Sequence, residues 1–379
     1  MTIQSERKEQ IVDDEEQEKK EVRSQWEMAW TKFRRNKIAV IGSFFLLLIV
    51  FCAFFAGFIS PHNFKKDNAL LLHAPPQRIH FLDKEGNFHL RPFTYAFKKE
   101  YDPVTYEAKY TEDTSKRYPL KLLARGDSYK FLGVWKTDLH LIGNGKEASL
   151  HLLGTDKLGR DVFSRILQGA RVSLSVALIG VLITEVIGTL LGGVSGYFGG
   201  LVDNIIQRAV ELLRSFPRIP LWMALTAALP KSWSPTMVFL GIVVLLGFIN
   251  WTGLCREIRG KVLSFRESDF VEAARAAGAT DTRIIVRHIL PSALSHIVVV
   301  ATLSVPRLIL AESALSFLGL GIQPPMVSWG VLLRRAQNLE VLQMAPWVLT
   351  PGIAIVLTVL SFNFVGDGLR DAVDPFSNN

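Results

Sequence analysis

Six apolar stretches alternate with charged ones along this 379-residue chain, and the alternation predicts a bundle of membrane-crossing helices. The first, Ile38 to Ile59, is about 22 residues without a charge, enough to cross a hydrocarbon core of roughly 30 Å at about 1.5 Å per residue. Five more run over 172–198, 207–229, 235–254, 292–320 and 345–366. Gly192, Gly193, Gly196, Pro217 and Pro220 interrupt the second and third. They read either as breaks beside a pathway or as small residues for close helix packing.

The polar stretches differ among themselves. Residues 1–24 hold the charge run Asp13 to Lys20 and no apolar period, which predicts a solvated tail. Trp26, Trp30 and Phe33 recur at helical spacing beside Arg34, Arg35 and Lys37, as in an amphipathic helix at a membrane surface. Residues 60–153 are aromatic and turn-rich. Arg78 to Leu90 alternates around Lys84-Glu-Gly-Asn87 and predicts a β-hairpin, with further strands at Phe131 to Trp135 and Asp138 to Ile142. The expected organisation is a cytoplasmic tail and interfacial helix over 1–37, a first span over 38–59, an extracytoplasmic β-rich insert over 60–153, and a helical core over 154–376.

Charge fixes the orientation. The net charge of +8 is read as the positive-inside bias rather than as a nucleic-acid surface. Arg34, Arg35 and Lys37 place the N-terminus in the cytoplasm, and six crossings return the C-terminus there. The loop 255–291 is then cytoplasmic, and its Arg256, Arg259, Lys261, Arg266, Arg275, Arg283 and Arg287 agree. Arg334 and Arg335 fall outside, a mild exception. Cys52 and Cys255 form neither a disulfide framework nor a metal site, and no metal is expected.

That loop carries the most specific pattern. Ser268 and Asp269 can cap and charge a short helix, and Ala273, Ala274, Ala276 and Ala277 give it a slim surface that a partner can approach. Gly278 permits the left-handed turn that ends it. A second helix follows over Thr282 to Leu290, with Arg283 and Arg287 one turn apart and Pro291 at its junction with the next span. Two short helices at an angle make a knob that can transmit a push. Read from its residues alone, it is equally a structural hairpin.

The spacing of Glu272, Ala273, Ala274, Gly278, His288, Leu290 and Pro291 resembles the coupling loop of bacterial ABC-importer permeases. Leu153-Gly-Thr-Asp-Lys-Leu-Gly-Arg-Asp161, Glu312 to Gly321 with Ser328-Trp-Gly330, and Asn363 to Asp371 with Asp374-Pro375 narrow the resemblance. They are similar to the C-type subunit of the dipeptide/oligopeptide/nickel importer permeases, and Trp30 to Ala39 is similar to that family's start. The likeness covers about 26–60 and 151–376; the insert is longer than the family's. It implies an all-α polytopic membrane protein with six transmembrane helices of the type I importer fold. It further implies a homologous B-type permease, two cytoplasmic ATPases that use ATP and Mg²⁺, and an extracytoplasmic substrate-binding protein. The implied cargo is a di- or oligopeptide, with nickel chelates or small glycans as alternatives, in the bacterial inner membrane. A non-transporting scaffold, or a channel that needs no ATP, stands against this reading.

Other polar residues carry less. Asp156, Arg160 and Asp161 read as ion-pair and capping groups. Glu185 and Glu312 lie within spans and are candidates for lining a pathway. His151, His288 and His296 lack ligand spacing. Gly143-Asn-Gly-Lys146 lacks the phosphate-loop pattern, so no catalytic residue and no bound cofactor is expected in this chain.

Overall fold

The computed structural model describes residues 25–101, 103, 108–131, 134–145 and 148–374. The charged tail over 1–24 lies outside them, as do Lys146 and Glu147 and the residues from Pro375 onward.

The chain enters through α1 (Gln25–Arg35), where Trp30 and Phe33 stack at 6.0 Å and Arg34 lies over the Trp30 ring. Asn36 then starts α2 (Lys37–Phe54), its side chain accepting from the Ala39 amide at 3.1 Å. The helix ends at Phe55 and resumes as α3 (Ala56–Ile59), so the expected first span is two pieces.

Five strands follow. β1 (His80–Leu82), β2 (Phe88–Tyr101) and β3 (Ala108–Pro119) form an antiparallel sheet in that order, while β4 (Lys121–Phe131) and β5 (Trp135–Gly143) pair as a hairpin. The expected turn lies between β1 and β2. Asp83 accepts from the amides of Glu85 and Asn87 there, and Gly86 takes φ +86°. The expected strand Phe131 to Trp135 is not one strand: Phe131 ends β4 and Trp135 opens β5, paired with each other, and Leu132 and Gly133 lie outside the described residues.

The hairpin is tied to the end of the first span. Asp127 of β4 accepts from Lys66 at 2.6 Å and lies 3.5 Å from His62. The bond from His62 and those from Lys66 and the Asn63 amide outweigh partial burial, holding its carboxyl well below the usual range. Buried His140 of β5 places Nδ1 at 2.5 Å from the Ser60 carbonyl and Nε2 at 2.8 Å from that of Asp127.

Two long helices form the spine. α4 (Val162–Phe198) starts at Asp161, whose side chain accepts from the Ser164 amide and hydroxyl at 2.7 and 2.5 Å. It runs unbroken through Gly192, Gly193 and Gly196, which corrects the reading of these glycines as breaks. Gly192 and Gly196 are contact points against α7 (Pro235–Phe265): a Cβ at Gly192 would meet the Cys255 carbonyl at 2.6 Å, and one at Gly196 the Arg259 carbonyl at 2.7 Å, while Gly193 faces Ile285 and Leu290.

The break falls at Phe216–Pro217. The expected span 207–229 is divided into amphipathic α5 (Gly200–Ser215) and α6 (Arg218–Ala227), with Phe216 forced into extended geometry before the proline. Arg208, Glu211, Arg214 and Arg218 also make this stretch too polar for a lone span. Among the described residues, five helices are long and apolar enough to cross a membrane, not six: Lys37–Phe54, Val162–Phe198, Pro235–Phe265, Asp281–Phe317 and Pro346–Val373.

α10 (Leu290–Phe317) and α13 (Thr350–Val373) complete the bundle. Between α7 and α10 lie α8 (Asp269–Ala276) and α9 (Asp281–Ile284); after α10 come α11 (Trp329–Leu333) and α12 (Leu339–Met344). The main core joins Val176, Leu246, Ile309 and Trp329 at the centre of the bundle.

Candidate functional site

α8 is built largely as its sequence implies. Glu272 donates its amide to the Ser268 carbonyl at 3.1 Å, but the Ser268 hydroxyl turns back to the Phe265 carbonyl at 2.6 Å and does not cap. At the other end Gly278 takes φ +78°. Its amide donates to the Arg275 carbonyl at 3.0 Å, and the Ala279 amide donates to that of Ala274 at 3.0 Å. These paired bonds are the left-handed helix stop that glycine favours. A Cβ at Gly278 would meet nothing within 4 Å, so the backbone, not packing, selects glycine.

The knob is anchored on one side and bare on the other. Val271, Ile284 and Ile289 are fully buried against Ile258, Val262 and Ala293. Each such side chain contributes roughly 1.5–3 kcal/mol. Glu272, Ala273, Ala276, Ala277, Gly278, Arg283 and Arg287 are exposed, and Ala274 is half-buried. A slim, rigid, partly basic surface therefore faces outward.

The second arm is not a separate helix. α9 passes through a single π-helical turn, Ile285–Ile289, into α10, giving one rod from Asp281 to Phe317. The proline at 291 was expected to mark a junction. It sits instead in the first turn of α10, where the wider turn has already displaced the usual bonding. Leu290 is half-buried and Pro291 exposed. His288 is half-buried; its carbonyl accepts from the Ser292 hydroxyl at 3.1 Å, and among the described residues its ring has no hydrogen-bond partner. The expected loop over 255–291 also starts late, since α7 continues to Phe265.

Polar bonds fasten this region to the spine. Tyr197 of α4 donates to Asp281 Oδ1 at 2.7 Å. Arg259 of α7 donates through Nε and Nη2 to Asp203 of α5, both at 2.6 Å, and Ser195 of α4 donates to the same carboxylate at 2.5 Å.

The two intramembrane acids differ. Glu312 is fully buried and accepts from Ser316 at 2.6 Å and Ser173 at 3.2 Å; Ser173 Oγ in turn accepts from the Trp329 amide. It ties α10, α4 and α11 together. Neither carboxylate oxygen of buried Glu185 has a hydrogen-bond partner among the described residues. The Gly154-Thr-Asp156 motif also closes on itself. Asp156 accepts from Arg160 at 2.7 and 2.9 Å and pairs with Arg165 at 3.3 Å, and burial of Asp156 is outweighed so that its carboxyl stays low.

Sequence reasoning passed over one feature. A cleft of about 700 Å³ opens between α7, α10 and the end of α13, lined by Glu257, Lys261, His296, Leu303, Arg307 and Arg370 among others. His296 Nε2 lies 3.1 Å from Glu257 Oε2. The signal was present, because Arg307 is a charge within the apolar run 292–320.

Comparison with known proteins places these features. Residues 188–378 match the family described as the binding-protein-dependent transport system inner membrane component, and residues 24–76 match the N-terminal transmembrane domain of oligopeptide transport permease C. The chain is 34% identical over 94% of its length to the glutathione transport system permease protein GsiD of Pectobacterium atrosepticum, covering 93% of that protein. It is 44% identical to the oligopeptide transport system permease protein OppC of Haemophilus influenzae, over 59% of this chain and 70% of that one. It is 45% identical to the dipeptide transport system permease protein DppC of Alkalihalophilus pseudofirmus, over 59% and 72%.

Proposed function

Because the chain belongs to the family of binding-protein-dependent transport system inner membrane components, we propose that it is a permease subunit of an ATP-driven peptide importer. The single observation that carries the mechanism is the knob over Ser268–Leu290, rigid within and bare without. A soluble ATPase seated on the alanine face would push a body that cannot deform locally. The rod from Asp281 to Phe317, about 55 Å at 1.5 Å per residue, would carry that displacement across the membrane.

In this reading the working unit pairs the chain with a homologous B-type permease, two ATPases and an extracytoplasmic binding protein. ATP and Mg²⁺ act on the ATPases. α5 and α6 together serve as the remaining crossing in a six-span type I arrangement with both termini in the cytoplasm of a bacterial inner membrane. The strands then face outward, where they would meet the binding protein. The names of the relatives favour di- or oligopeptides as cargo over nickel chelates or small glycans.

Labelled tripeptide uptake into membrane vesicles holding the whole complex tests this, with and without ATP, for wild type and Gly278→Asp. ATP-dependent uptake that the substitution abolishes, with the complex assembled, is expected. ATPase activity that depends on this subunit without peptide uptake would redirect the cargo. Neither uptake nor an effect on ATPase would leave a non-transporting scaffold.

A further inference from the structure

The cleft between α7 and α10 is polar where a lipid-facing surface cannot be. Arg307 follows Pro306 in the interior of α10, is exposed, and among the described residues has no hydrogen-bond or ion-pair partner. A guanidinium facing acyl chains at that depth is costly, so this face meets water or a polar partner. The same face continues through Leu303 and Val299 to His296 and Ser292 at helical spacing, and α7 supplies Glu257 and Lys261 opposite. His296 and Glu257 already occupy each other at 3.1 Å. Among the described residues Arg307, Lys261 and Arg370 of this cleft have no side-chain hydrogen-bond partner, and Arg307 is the one within the apolar run 292–320. Its fork of N–H groups matches a carboxylate.

We propose that this cleft is the wall this chain gives to the permeation pathway, and that Arg307 is the midway contact for the carboxylate end of a passing peptide. The proposal rests on the importer reading and deepens it. The contact is transient because a single side chain makes it.

The test uses the whole complex in vesicles, with Cys52→Ser and Cys255→Ala as background and Leu303→Cys as reporter. Leu303 lies one turn from Arg307, about 5–6 Å between Cβ atoms. Leu47→Cys, on the exposed apolar face of α2, is the control. Leu303→Cys is expected to react with both an anionic and a cationic thiosulfonate reagent, and Leu47→Cys with neither. The anionic-to-cationic rate ratio is expected to fall about fivefold or more in Arg307→Gln and to be retained in Arg307→Lys. Tripeptide in excess should slow the anionic reagent at Leu303→Cys. An unreactive Leu303→Cys, or a ratio that Arg307→Gln leaves unmoved, overturns the proposal. Absence of ATP-dependent uptake in the background complex would instead sink the importer reading, and the labelling ratio would still decide whether the cleft is wet and anion-attracting.

Discussion

Tyr197 holds Asp281 through a hydrogen bond of 2.7 Å, joining the last turn of α4 to the first residue of the rod that ends at Phe317. It links the spine to the rod that begins within the knob. Tyr197 is itself buried, so its ring packs even without the hydroxyl.

Tyr197→Phe should therefore keep the fold and loosen the joint. A hydrogen bond to a charged group is worth about 1.5–3 kcal/mol. The expected result is a lower melting temperature and a higher ratio of ATP hydrolysed to peptide imported. An unchanged ratio would remove the hydroxyl from the coupling argument.

At Gly278 the backbone angle makes a different prediction from side-chain size. Asparagine tolerates the left-handed region better than alanine, which costs about 1 kcal/mol there. The melting temperature of the permease should thus follow Gly above Asn above Ala above Val. Alanine as stable as glycine would mean that the turn does not need positive φ.

Glu312 has only hydroxyl partners to lose. In Glu312→Gln the amide oxygen can still accept from one of the two serines while the amide N–H donates to the other hydroxyl, and most assembled permease should remain. Glu312→Ala leaves those hydroxyls unpaired beside a void, costing about 2–5 kcal/mol, and should reduce the assembled amount severalfold. Immunoblots of purified complex would report both. Equal losses would point to the negative charge itself.

The tie between Asp127 and the His62–Lys66 segment depends on ionisation. Its folded carboxyl lies below the ordinary value of about 3.9, so its stabilisation is fully present above that value and is lost as pH falls through the folded one. Wild type should then become more prone to protease cleavage near the β4–β5 hairpin below about pH 4, while Asp127→Asn should already be prone at pH 7. Wild type and variant with the same pH profile would contradict the assignment.

Much of this was legible from residue order. Gly278 announced the helix stop, and Lys84-Glu-Gly-Asn87 the β1–β2 turn, because those residues act on their own backbone. Features that depend on what lies across the bundle were not legible. Gly192 reads alike as a kink or a contact until the Cys255 carbonyl is found against it. The Ser268 hydroxyl could accept from a first-turn amide or donate to a carbonyl, and it donates to that of Phe265. Pro291 looked like a terminus because the π turn that absorbs it has no composition of its own. Charges told more than they were asked: Arg214 and Arg218 spoke against a lone span, and Arg307 marked the cleft.

The glycine seam between α4 and α7 has a mechanical meaning. Backbone atoms of α7 stand where side chains of Gly192 and Gly196 would be, so neither helix can slide or roll without collision. The pair is one beam. Its Tyr197 end holds Asp281, and further along Ser173 of α4 is bonded to Glu312 of α10, so the beam grips the rod at both ends. Cross-linking α4 to α7 would then be mechanically silent.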